Sequence, residues 1–73
     1  MPHPSHYSKK PVELSPRELD VLRCAAYGLT VMQTAAKLGT HYETVRTQRK
    51  RAKEKLGAAT FTGAVAMAVA FYL

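Results

Sequence analysis

The chain has little of what several protein classes require. Its 73 residues hold one cysteine, Cys24, which excludes an internal disulfide framework. With His3, His6 and His41 scattered and no second cysteine at ligand spacing, a zinc finger is excluded as well. Negative charge is scarce: five acidic residues face eleven basic ones, giving net +6 and a pI of 9.8. That imbalance points to an anionic partner, either nucleic acid or an acidic membrane surface. No long hydrophobic run is present. The longest uninterrupted one, Ala64 to Leu73, is ten residues, well short of the roughly 20 that a membrane-spanning helix needs. The opening MPHPSHYSKKP lacks the apolar segment of a secretory signal, so a reducing, cytoplasmic, nucleoid-associated setting is expected. A glycine-rich phosphate loop is missing, and no base stands beside a convincing nucleophile. No enzyme activity, metal or cofactor is expected.

What is present is unevenly placed. Six of the eleven basic residues (Arg46, Arg49, Lys50, Arg51, Lys53, Lys55) fall between positions 46 and 55, whereas Leu56 to Leu73 carries no charged side chain. Residues 1–13 hold three of the four prolines and the pair Lys9-Lys10 without a periodic apolar pattern, and read as a flexible basic arm. From residue 14 to 73, helix start and stop signals recur at short intervals, which predicts one compact all-α domain of four helices.

Ser15-Pro16-Arg17-Glu18 forms a capping box with proline at its tolerated first position, and Leu14 with Leu19 supplies the hydrophobic staple. The first helix is expected over 16–27, burying Leu19, Val21, Leu22, Ala25 and Ala26 and stopping at Gly28. A second box, Thr30 to Gln33, opens a helix over 31–38 through Ala35, Ala36 and Leu38, ending at Gly39. The third, over 42–56, starts at Thr40 or His41, with Glu43 placed to complete a box with Thr40, and ends at Gly57. Thr60 caps a fourth helix over 61–72.

Two helices joined by a tight glycine turn, the second long and basic, is the arrangement that sends a recognition helix into the DNA major groove. At 100° per residue Val45, Ala52 and Leu56 share one stripe with Gln48 at its margin, leaving Glu43, Arg46, Thr47, Lys50 and Glu54 opposite. Arg46 and Lys50 lie one turn apart on that outer face, where either reaches guanine O6 and N7, and Thr47 suits a thymine methyl. Arg49, Arg51, Lys53 and Lys55 flank it and suit phosphates. Thr30, Gln33, Tyr42 and Thr44, at helix N-termini, are further phosphate candidates.

The fourth helix is apolar on more sides than a small monomer covers. If Phe61, Val65, Ala68 and Tyr72 face inward, Gly63, Ala66, Met67, Ala70 and Leu73 remain outside as a candidate homodimer face. A dimer sets two recognition helices about 34 Å apart, on an approximate inverted repeat of double-stranded DNA.

The landmarks Leu14-Ser15-Pro16-Arg17-Glu18, Val21-Leu22, Gly28-Leu29-Thr30, Ala35, Leu38-Gly39, Thr44-Val45, Lys55-Leu56-Gly57 and Ala64-Val65 together resemble the LuxR-type (GerE-type) helix-turn-helix domain over about residues 14–70. The resemblance implies a four-helix module that binds duplex DNA as a dimer, usually as a transcription regulator, pairing its subunits through the fourth helix. The family's base-reading positions correspond here to Arg46, Thr47 and Lys50. Some positions depart from the pattern: Thr34 stands for a usual isoleucine, Thr40 and His41 for an apolar residue and a capping serine, Gln48 for a frequent histidine and Ala52 for a larger aliphatic. Phe61 and Gly63 stand where an arginine and a glutamate are common. With no receiver or ligand-binding domain in the sequence, a stand-alone regulator of bacterial or phage type is expected. The alternative is an adaptor whose basic helix docks on RNA polymerase or a sigma factor. A peripheral membrane binder fits poorly, since the fourth helix lacks a basic polar face.

Overall fold

A computed structural model describes residues 12–73; most of the expected N-terminal arm, residues 1–11, lies outside the described residues. Four helices follow in order: α1 (Pro16–Ala26), α2 (Val31–Leu38), α3 (Tyr42–Leu56) and α4 (Phe61–Phe71). No strand occurs among the described residues.

The starts of α1, α2 and α4 follow from local chemistry. The Ser15 hydroxyl accepts the Glu18 N–H at 3.1 Å while the Glu18 carboxylate accepts the Ser15 N–H at 2.9 Å. Thr30 and Gln33 make the same reciprocal pair at 3.1 and 2.9 Å. The Thr60 hydroxyl accepts from the Gly63 N–H at 3.0 Å. Each bond satisfies an N–H that has no partner within the first helical turn. At the third start His41, one of the two expected residues, is the N-cap of α3, but its side chain makes no capping bond and the expected box with Thr40 does not form. At the other end of α2, Gly39 takes φ 67°, a left-handed conformation that turns the chain into α3 within two residues.

The helices bury two apolar clusters. In one, Leu14, Leu22, Ala52, Leu56, Ala64 and Ala68 join α1, α3 and α4; in the other, Val21, Ala35 and Val45 join α1, α2 and α3. α1 and α3 thus form the centre, with α2 on one flank and α4 on the other, and α2 and α4 do not pack on each other. Leu14 is buried and Leu19 packs against its cluster, as the staple requires. Cys24 packs in the core as a small apolar residue.

Several facings differ from the sequence reading. Ala26 and Ala36 are exposed, whereas Glu18 and Thr34, not expected in the core, are buried. Helix α4 is rotated from the expected stripe so that Ala64 is its most buried residue with Ala68, and Met67, expected outside, packs on the core. Gly63, also expected outside, is half-buried. Small alanines at 64 and 68 let α4 approach α1 and α3 closely, and that contact sets the rotation. α4 also ends one residue early; Tyr72 leaves helical geometry and its hydroxyl donates to the Val12 carbonyl, tying the end of α4 to the segment before α1.

Candidate nucleic-acid interface

α3 is amphipathic in a polar sense: Val45, Ala52 and Leu56 are buried against α1, α2 and α4, and Gln48 sits half-buried at the margin. The opposite face, Glu43, Arg46, Thr47, Lys50 and Glu54, is exposed along its length. The three residues expected to read bases therefore lie together in the open. Glu43, Arg46, Thr47 and Lys50 line a shallow depression of about 230 Å³. Arg46 pairs weakly with Glu43 at 3.6 Å, both side chains being more than half exposed, and its guanidinium lies 6.0 Å from the Tyr42 ring centroid. An exposed i,i+3 pair of this kind contributes only a few tenths of a kcal/mol, so it yields readily to a base edge.

Arg46, Arg49, Lys50 and Lys53 recur at i, i+3, i+4 and i+7, which puts four cations on one strip of α3. Val31, the first residue of α2, and Phe61, the first of α4, flank this strip, and the six together line an open notch of about 250 Å³. The five carboxylates of the chain are Glu13, Glu18, Asp20, Glu43 and Glu54. Among the described residues none of them forms an ion pair with Arg49, Lys50, Arg51 or Lys53.

The remaining candidates divide. Thr30, Gln33 and Tyr42 are exposed and Thr44 is half-buried. In the capping box Thr30 uses its oxygen as an acceptor and Gln33 its amide carbonyl, so the hydroxyl proton and the amide N–H groups stay free to donate. Arg51 is exposed, and Arg49 and Lys53 are half-buried. Lys55, the remaining phosphate candidate, is exposed, and its ammonium donates to the buried Glu18 carboxylate at 2.8 Å, which joins α3 to α1. A lysine held there satisfies a buried charge inside the fold.

Sequence reasoning missed Phe61 as a neighbour of the basic strip. The Arg49 guanidinium lies over its ring, 4.2 Å from the centroid. The two are twelve positions apart on different helices, so no local spacing announces the contact.

A tight glycine turn between α2 and α3, an apolar seam behind α3 and an exposed basic face in front define an all-α helix-turn-helix protein of the DNA-binding class. The comparisons agree with that class. Residues 12–68 match the model of the bacterial regulatory proteins of the luxR family (GerE), and the chain belongs to this family. It is also similar to the HTH-type transcriptional activator RamA of Corynebacterium glutamicum, 44% identical over 52 residues, which covers 71% of this chain and 18% of that protein. The chain thus spans less than a fifth of that relative's length. No helix among the described residues is long and apolar enough to cross a membrane.

Proposed function

We propose that the chain is a sequence-specific regulator of transcription that lays α3 in the DNA major groove and binds as a homodimer. The observation that carries this reading is the outer face of α3, where Arg46, Thr47 and Lys50 stand exposed and adjacent while Val45 and Ala52 fix the helix from behind. Arg46 and Lys50 suit guanine O6 and N7, and Thr47 suits a thymine methyl. Thr30, Gln33, Tyr42, Thr44, Arg49, Arg51 and Lys53 surround that face and serve phosphates, which set register and supply the salt-dependent affinity.

Selection of bound sequences from a random duplex library tests the reading, with an enriched motif expected. On that motif Arg46→Ala should cost about 1–3 kcal/mol and relax preference at one base position. Arg51→Ala should weaken all duplexes alike and reduce the salt slope by about one. Equal losses for both variants on selected and random duplexes would overturn the assignment of roles. Absence of any enriched motif would overturn sequence-specific binding and leave the adaptor reading.

A further inference from the structure

Among the basic side chains of α3, Arg49 is unlike the others. Arg46, Lys50, Arg51 and Lys55 are exposed and Lys53 is half-buried; Arg49 is half-buried too, and it alone lies over the Phe61 ring, 4.2 Å from the centroid. Its Nε is buried and has no hydrogen-bond partner among the described residues. No carboxylate pairs with it. Burial pulls this guanidinium below its ordinary pKa, although the nearby Tyr42 hydroxyl opposes that; the group still carries its charge at neutral pH. A cation that has given up part of its hydration without gaining a counter-charge is costly in the free protein, and an arriving anion recovers that cost.

We propose that Arg49 and Phe61 form a clamp for one DNA-backbone phosphate in the notch between α2, α3 and α4, with Phe61 acting as a positioning residue through Arg49. The proposal rests on the DNA-binding reading and goes beyond it by making a residue of α4 part of the interface. Phe61 restricts the arginine to the orientation in which its planar fork faces the notch, so less side-chain freedom is lost when phosphate arrives. Cation–π attraction over a partly desolvated ring supplies the restraint. Lys53 and Lys50, on the same wall, add charge without direction, since an ammonium is a point charge.

The experiment measures binding to a short duplex of mixed sequence over a series of salt concentrations, because a phosphate contact is indifferent to sequence. Phe61→Leu keeps an apolar side chain at the start of α4 and removes the ring; Phe61→Tyr keeps the ring. Affinity is expected to fall about five- to tenfold in Phe61→Leu, to stay near wild type in Phe61→Tyr, and to fall in Arg49→Met by at least as much as in Phe61→Leu, since that variant also removes the charge. The double variant should lose no more than Arg49→Met alone. Arg49→Lys, which keeps the charge and loses the fork and the stack, should lose most of the same affinity. Additive losses in the double variant, or wild-type affinity in Arg49→Lys, would overturn the clamp. Should Phe61→Leu fail to fold by circular dichroism, Arg49→Lys decides the question alone. The two readings fail separately. Duplex binding with unaffected variants defeats the clamp only, library selection without a motif defeats sequence specificity only, and a wild type that binds no duplex at all defeats both.

Discussion

Glu18 closes the capping box at Ser15 and accepts a hydrogen bond from Lys55, 37 positions further along the chain, at 2.8 Å. It is only 5% exposed. Burial alone raises the pKa of a carboxyl group, but the bond from Lys55, the Ser15 N–H and the charge of Lys55 together outweigh it and hold Glu18 below its ordinary 4.5. A carboxyl depressed in the folded state contributes stability that is fully present above its unfolded value and is lost as pH falls through the folded one. The thermal midpoint should therefore begin to drop as pH falls below about 4.5, and Glu18→Gln should flatten that dependence. At neutral pH the same variant should cost about 1–3 kcal/mol, because it weakens a buried hydrogen-bonded pair. Thermal melts across acid pH check both. An unchanged pH slope in Glu18→Gln would remove Glu18 from the account.

At the scale of elements, three helix starts were legible because the capping signal is local: Ser15, Thr30 and Thr60 each bond an amide three residues ahead. The bounds of α2 and α3 match the reading from the sequence, since glycine stops at 39 and 57 are equally local. The facing of Ala26, Ala36 and Met67 was not legible, because helical periodicity gives a stripe without fixing which neighbour it meets. Glu18–Lys55 and Arg49–Phe61 were invisible for the same reason: each joins two helices whose relative placement only packing decides. The uncapped start of α3 leads to a prediction. His41 makes no capping bond, so His41→Ser should supply an acceptor for a first-turn amide and stabilise the domain by about 0.5–1 kcal/mol. For a domain of this size that raises the thermal midpoint by roughly 2–8 °C. His41 is exposed, so no packing is lost; an unchanged or lower midpoint would mean that the backbone there does not admit a capping geometry.

At the scale of the molecule, charge and apolar surface separate. The basic strip runs along α3, while α4 has no charged residue and leaves Ala66, Val69, Ala70, Phe71 and Leu73 exposed, Phe71 at 71%. A row of exposed apolar residues on an uncharged helix is unfavourable in water and calls for a cover. We propose a second copy of α4 as that cover, packed across a two-fold axis. The rotation of α4 changes which residues meet. Met67 packs on the core and Gly63 is half-buried beside Thr60 and Ala58, whereas Ala66 and Ala70 lie one turn apart in the open with Val69 and Leu73 beside them. Small side chains at 66 and 70 allow close approach, and Val69 and Leu73 supply the apolar area. Two subunits joined in this way would present their recognition helices about 34 Å apart, one turn of DNA, to an inverted repeat. Ala66→Glu and Ala70→Glu place a charge in the contact without touching the buried Ala64 and Ala68. Each variant is expected to keep its helical circular dichroism, to sediment as a monomer and to lose most of its affinity for the selected operator while retaining weak, salt-sensitive binding to random duplex. A wild type that remains monomeric both at high micromolar concentration and on its operator would show that α4 is covered by something other than its own copy.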